Sequence, residues 1–550
     1  MSGTTPPGAA RDSSRWTVLV VLCASLLLVA IDATVLHVAV PAVTEDLRPG
    51  GVQLLWIVDA YPLVCASLLI LFGTLGDRIG RRRVLLLGYG CFGVASALAA
   101  YAGNPATLIA ARALLGVGGA MIMPATLSIL RQVFPDRRER ALAIGIWSAV
   151  AAAGAAVGPL VGGVLLEHFW WGSVFLINIP LMAICLPVGR WLLPESTGDR
   201  VGPWDVGGAV LAALGLFAAI LAIKRAGDGE TFTAGTGMAL VLAVVLLTLF
   251  VRRQRRRRFP LIDLAAFARP AFGTSVGCIV LTVLALVGLA LVAAQYLQLV
   301  LGLSPLETGL RLLPLSLAAI GAGLVGSRLL ARLGPRLMVA LGFLLTAVAV
   351  LSLVSLDQRD SPAVMALGFV LLGFGLETTL FGSYESMLSD CRAGEAGGVA
   401  AVGETAYQFG AGLGVALLGS VMNAKYAPGV LRAGESGAVS DADAESASHS
   451  LGEAYTVAAR LGGDGGETLR AAARAAFVHG MHTTLLVSVV LLLLGAAAAL
   501  RLPRVLGPGH GGSVDPAERV ARGAADVVGD GAGPAAPGER SLLPTGSGRP

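Results

Sequence analysis

Charge is what this sequence has least of. Asp, Glu, Lys and Arg make up only 14% of its 550 residues, against about 25% in a soluble domain. Hydrophobic residues make up 55%, and the mean hydropathy is +0.77. A soluble globular fold is excluded, because the remaining charges cluster between long apolar runs instead of lining amphipathic faces. Lysine is almost absent, occurring only at Lys224 and Lys425, so arginine carries the net charge of +5. The six cysteines (Cys23, Cys65, Cys91, Cys185, Cys278 and Cys391) stand singly, a spacing that suits neither a disulfide framework nor a metal site. His479 and His482 lack a third ligand and read as interface residues. No Walker-type loop is present, so ATP is not the expected energy source and no cofactor is expected. Neither a nucleophile–base pair nor a metal cluster can be seen, which argues against an enzyme.

The apolar runs are what the chain has in abundance. A spanning helix needs about 20 mostly apolar residues. On that rule fourteen candidates fall at 16–40, 51–72, 84–102, 107–130, 141–166, 172–193, 205–224, 235–251, 272–300, 307–331, 337–356, 361–388, 397–422 and 477–501. The first follows Arg11 and Arg15, contains Asp32 and continues to Pro41 without a small-residue cleavage site, so it reads as a retained span.

Arginine sets the expected orientation. Clusters follow span two (Arg78, Arg81, Arg82, Arg83), span four (Arg131, Arg137, Arg138, Arg140) and span eight (Arg252, Arg253, Arg255 to Arg258). Arg332 and Arg336 follow span ten, while the short loops after spans one, three, five and eleven carry at most one Arg each. Both termini are therefore expected on the cytoplasmic side of the inner membrane, a parity that requires an even number of spans. Tyr426 to Ala475 reads as a polar loop on the outer face, and Pro503 to Pro550 as a disordered cytoplasmic tail.

The chain also repeats itself. The stretch from Gly80 to Gly88 returns as Gly334 to Gly342, Leu114 to Gly118 returns as Leu371 to Gly375, and Gly154/Gly158 return as Gly410/Gly414. Three matches in order at nearly one offset imply two related halves. An all-α polytopic fold is expected, with a six-helix bundle over 1–200, two linking spans and a basic loop over 201–258, and a second six-helix bundle over 259–502. Parallel halves with a midplane site between them are the geometry of a rocking-bundle transporter.

Carboxylates inside spans mark function, because an acid in a bilayer core costs several kcal/mol unless it pairs, takes up a proton or faces water. Asp32, Asp59, Glu377, Glu385 and Glu404 are such acids, with Glu385 near the end of its span. Arg112 is the clearest cation within a span, leaving negative charge in search of protons or cations. Trp56 lies three residues before Asp59 and Tyr407 three after Glu404, so each pair shares a helix face. An acid beside an aromatic face is how a quaternary cation is held, although both rings also suit ordinary packing. Glycines at 154, 158, 162 and 163 permit close helix approach, with Pro159 adding a kink.

The loop Gly73-Thr74-Leu75-Gly76-Asp77-Arg78-Ile79-Gly80-Arg81-Arg82-Arg83 resembles the signature loop of the major facilitator superfamily, and that resemblance implies a latch between halves in the outward-facing state. Asp32 to Pro41, Arg112 with Leu115 to Gly118, and the glycines from Gly154 to Gly163 around Pro159 resemble the motifs of its fourteen-span drug:proton antiporter family. Trp56 to Tyr61, Trp171 to Pro180 and Gly403 to Tyr407 narrow the resemblance to the QacA/SmvA-like exporters of quaternary ammonium compounds. The resemblance covers nearly all of Trp16 to Arg501. It implies a role for Arg112 in proton transfer, and a monomer working with cationic drugs, protons and the bilayer, without nucleic acid. Two departures stand out. Ala331 occupies the place of Asp77 in the second half, and Leu312 to Leu330 lacks the acid that helps QacA-like relatives bind bivalent cations. An exporter of an endogenous natural product, or a non-transporting sensor on the same fold, are the alternatives.

Overall fold

The computed structural model describes residues 7–197, 204–227, 233–391, 395–435 and 439–504, and no strand occurs among them. The first helices are α1 (Pro7–Leu47), α2 (Gly51–Ile79), α3 (Arg81–Ala100), α4 (Pro105–Val133), α5 (Arg137–His168), α6 (Ser173–Leu176) and α7 (Asn178–Leu192). Next come α8 (Val206–Gly227) and α9 (Ala234–Arg256). Then follow α10 (Pro270–Gln295), α11 (Pro305–Leu353), α12 (Pro362–Ser389), α13 (Ala396–Glu435), α14 (Asp441–Ser448), α15 (Leu451–Leu461) and α16 (Gly463–Ala499). The expected tail beyond Arg504 lies outside the described residues.

Among the described residues, thirteen helical stretches are long and apolar enough to cross a membrane. Fourteen apolar runs become thirteen because 307–331 and 337–356 share α11, which is broken only at Gly334 (φ 69°, ψ 167°) before Pro335. Gly80 (φ 115°) divides α2 from α3 at the repeat-related position. Both glycines adopt a positive φ that a side chain would penalise, so the repeat seen in the sequence is also a repeat of turns.

Helices α1 to α7 pack on one another, chiefly α1 on α5 and α4 on both α2 and α3. Helices α10 to α16 do likewise, with α10 on α13, α11 on α12, and α16 on α11 and α13. The two groups meet along α2–α13 and α5–α11. Helix α8 packs on both α2 and α13, and α9 packs on α8. At the base of that hairpin Asp205 accepts from Arg253 Nη2 at 2.6 Å and from Gln254 Nε2 at 3.2 Å. Those Arg253 hydrogen bonds hold the Asp205 carboxyl below the usual carboxylate range. Along α9 the apolar side chains of Met238, Leu240, Val241 and Val244 are exposed. A surface so apolar has lipid as its solvent, while helices satisfy their own backbone.

Where a polar loop is expected over 426–475, the described residues are largely helical. Helix α13 runs on to Glu435, α14 and α15 follow, and α16 begins at Gly463, ahead of the expected span. Ser440 and Ser450 cap the two short helices by accepting from Asp443 N at 3.2 Å and Glu453 N at 3.1 Å. Helix α15 buries Leu451, Ala454, Val457 and Ala458, one face of a helix. A hydropathy rule passes over such a segment because half of each turn is polar.

Candidate functional site

Asp32 and Arg112 form a pair sealed inside the first group of helices. Arg112 Nη1 lies 3.1 Å from Asp32 Oδ2, and their side chains are 2% and 0% exposed. Arg112 Nε donates to the Ile57 carbonyl at 3.2 Å, and the guanidinium lies over the Tyr61 ring, 4.8 Å from its centroid. Asn178 Nδ2 donates to the other Asp32 oxygen at 2.8 Å and lies 3.1 Å from Ser96 Oγ. Five helices, α1, α2, α3, α4 and α7, thus meet in one buried network, with α4 and α7 bonding the carboxylate directly. Asn178 lies inside the Trp171 to Pro180 motif, but nothing in its spacing announced Asp32 as its partner.

The signature loop bridges the two groups. Asp77 Oδ1 accepts from Gly397 N at 3.0 Å and Oδ2 from Gly398 N at 2.9 Å, the first amides of α13. Free amides at a helix N-terminus carry partial positive charge, which a carboxylate complements. Arg81 holds the carboxylate from its own side, with Nη2 2.9 Å from Oδ1. Gly73 makes the approach possible, since a Cβ there would stand 2.6 Å from the Gly397 carbonyl oxygen. Arg82 and Arg83 both lie 3.5 Å from Glu195 Oε2, an acid after α7 that no motif in the sequence marks. Arg78 is exposed.

A third cluster straddles the seam. Glu404 on α13 and Glu377 on α12 are 3% and 6% exposed. Tyr384 OH donates to Glu404 Oε1 at 3.2 Å, and Tyr407 lies near both acids. Trp147 reaches in from α5 and meets the Tyr384 ring edge-on, centroids 6.4 Å apart. Among the described residues Glu377 Oε1 is buried without a hydrogen-bond partner, and neither acid has a cationic partner. Tyr384 and Trp147 escaped notice in the sequence because a buried aromatic on an apolar helix resembles core packing.

Other candidates separate from this cluster. Asp59 is half-buried and paired with Lys224 Nζ of α8. Trp56 packs with Leu63, Ala66 and Ile220 on the α2–α8 side. Glu385 is fully buried and paired across the seam with Arg140 at 3.2 Å. Gly154 and Gly162 pack on α1, where added Cβ atoms would come 2.7 Å from Ala30 Cβ and 2.9 Å from Val35 Cγ2. Gly158 faces Ile31 and Thr34 in the same row. Gly163 looks into open space and Pro159 is exposed, so neither joins that packing row.

A bundle of membrane-length helices in two repeated groups, with charged residues sealed inside and acids on the seam, is a polytopic membrane transporter rather than an enzyme. The chain matches the Major Facilitator Superfamily over residues 22–415 and belongs to it. It is 40% identical over 493 residues to the multidrug efflux pump LfrA of Mycolicibacterium smegmatis, covering 89% of this chain and 97% of that protein. It is 37% identical to the methyl viologen resistance protein SmvA of Salmonella typhimurium, covering 87% and 97%. The tetracenomycin C resistance and export protein of Streptomyces glaucescens is 33% identical, with coverage of 90% and 93%. The human organic anion transporter MFSD10 superposes with a TM-score of 0.55 at 16% identity, covering 89% of this chain and 100% of that one. That likeness shows the shared fold.

Proposed function

We propose that this protein is a proton-coupled antiporter exporting lipophilic and quaternary ammonium cations across the cytoplasmic membrane. The observation that carries the reading is the pair Glu377 and Glu404, two buried carboxylates without a cation among the described residues, walled by Tyr384, Tyr407 and Trp147. Buried charge without a partner is costly, and an aromatic wall beside it suits a cation that cannot donate hydrogen bonds. Relatives named for multidrug efflux and methyl viologen resistance support a cationic drug as the cargo.

On this reading residues 1–200 and 259–502 are halves that rock about the seam, the chain crosses fourteen times, and the arginine-rich end is cytoplasmic. With Asp77, Gly397, Arg140 and Glu385 engaged, that end is shut, the arrangement of an outward-facing carrier. Protons arriving from outside neutralise the acids and release the cation; proton loss to the cytoplasm restores the charge that captures the next one. Asp32, oriented by Arg112 and Asn178, is the proton carrier of the first half.

The test is tetraphenylphosphonium binding to purified protein across pH. Glu404→Gln is expected to weaken binding by about 2–5 kcal/mol, as for a buried charge contact. Tyr407→Leu is expected to cost less, about 0.5–2 kcal/mol, and Tyr384→Phe, which keeps the ring and loses one hydrogen bond to Glu404, about 0.5–1.5 kcal/mol. Equally tight, equally pH-dependent binding in Glu404→Gln would remove it from the site. Methyl viologen belongs in the same titration, because it is a doubly quaternary cation and Leu312 to Leu330 offers no second acid. The Streptomyces glaucescens relative favours a second reading, export of a natural product made by the same cell. Gene neighbourhood decides between them.

A further inference from the structure

Lys224 is one of two lysines in the chain, and its ammonium rests on Asp59 Oδ1. The two residues belong to different parts of the molecule. Asp59 is on α2 of the first group, and Lys224 is on α8, at the opposite end from the Asp205–Arg253 contact. Neither is sealed, with side chains 24% and 28% exposed. The neighbouring residue Ile223 lies where a Cβ on Gly412 of α13 would touch it at 3.3 Å, and Phe409 of α13 packs with Ala218 and Ala219. Helix α8 therefore occupies the crevice between α2 and α13, the helices along which the two groups meet. Arg112 is within electrostatic reach of Asp59 as well, but its ion pair is with Asp32.

We propose that Lys224 is a specificity-determining residue: a tethered cation that occupies Asp59 and that a cationic substrate must displace. A lysine suits this role because its ammonium sits on a flexible four-carbon stem and can swing away, unlike the planar fork of an arginine. While the ammonium is in place Asp59 is closed to weak cations. When a lipophilic cation takes its place, the freed ammonium swings away on its flexible stem. This inference rests on the cation-export reading and extends it to the linking helices, which otherwise have no part in selection.

The experiment measures tetraphenylphosphonium binding to the purified full-length protein for the wild type, Lys224→Met, Lys224→Arg and Lys224→Met with Asp59→Asn. Lys224→Met is expected to bind about fivefold more tightly, the size of a half-exposed charge contact. Lys224→Arg, which holds Asp59 with a planar fork that is harder to displace, should bind more weakly than the wild type, and the gain of Lys224→Met should vanish in the double variant. Melting temperature is recorded in parallel. Unchanged affinity in Lys224→Met, with or without a lower melting temperature, would overturn the proposal and make the pair a structural staple. A gain that survives Asp59→Asn would also overturn it. Failure of both wild type and Lys224→Met to bind the probe, while both still export a neutral dye, would sink the cation reading and this proposal together.

Discussion

Asp77 of α2 caps Gly397 of α13 across the seam, carboxylate to amide at 3.0 Å, so one group of helices supplies the N-cap of a helix in the other. Capping is normally a local affair between residues three apart. Here the cap and the capped amide are separated by 320 residues and belong to different groups of helices.

Asp77→Asn keeps the shape but loses the charge that complements the helix end and Arg81. Asn can still accept at the helix end, so what is lost is the charge contact with the helix dipole, about 1 kcal/mol, and the closed arrangement should lose about fivefold in population. Cysteine accessibility should rise at the arginine-rich end and fall at the other, and turnover should drop more than substrate affinity. Unchanged accessibility on both faces, with unchanged turnover, would show that the contact does not hold the state.

Gly145 and Gly323 form the corresponding crossing of α5 and α11, where a Cβ on Gly323 would stand 2.8 Å from the Gly145 carbonyl oxygen. Gly323→Val should wedge the groups apart, raising accessibility at the arginine-rich end and slowing export. Gly163→Val serves as the comparison, because nothing lies within 4 Å of a Cβ there. Equal export by the two variants would contradict the crossing's role.

Asp32→Asn leaves Arg112 buried with an uncompensated charge. Breaking such a pair from one side costs about 3–5 kcal/mol, so the variant should melt earlier as well as lose proton-driven export. Adding Arg112→Met should return stability without returning export, which separates the structural part of the loss from the functional one. Ethidium efflux and thermal unfolding of the three proteins decide this, and normal efflux in Asp32→Asn would end Asp32's assignment as proton carrier.

Much of the fold is legible in the sequence, because the bilayer permits so few solutions: runs near 20 apolar residues must be helices. The repeat was legible too, since Gly80 and Gly334 mark the same turn in each half. The helices between Tyr426 and Ala475 do not show in hydropathy, because Ser440 and Ser450 caps and one apolar face stabilise them.

The candidate site divides along a different line. Sequence by itself determined which residues carry unusual cost, since Asp32, Arg112, Glu377 and Glu404 stand out wherever charge is scarce. Only the tertiary structure decided which of those costs are already met. Asp32 is paired with Arg112 and hydrogen-bonded by Asn178, Asp59 is paired with Lys224 and Glu385 with Arg140, whereas Glu377 and Glu404 have no cation among the described residues. The reason is physical: a lone charge announces its desolvation cost in one dimension, but its partner lies on another helix, 80, 165 or 245 residues away. Helix packing alone brings them together.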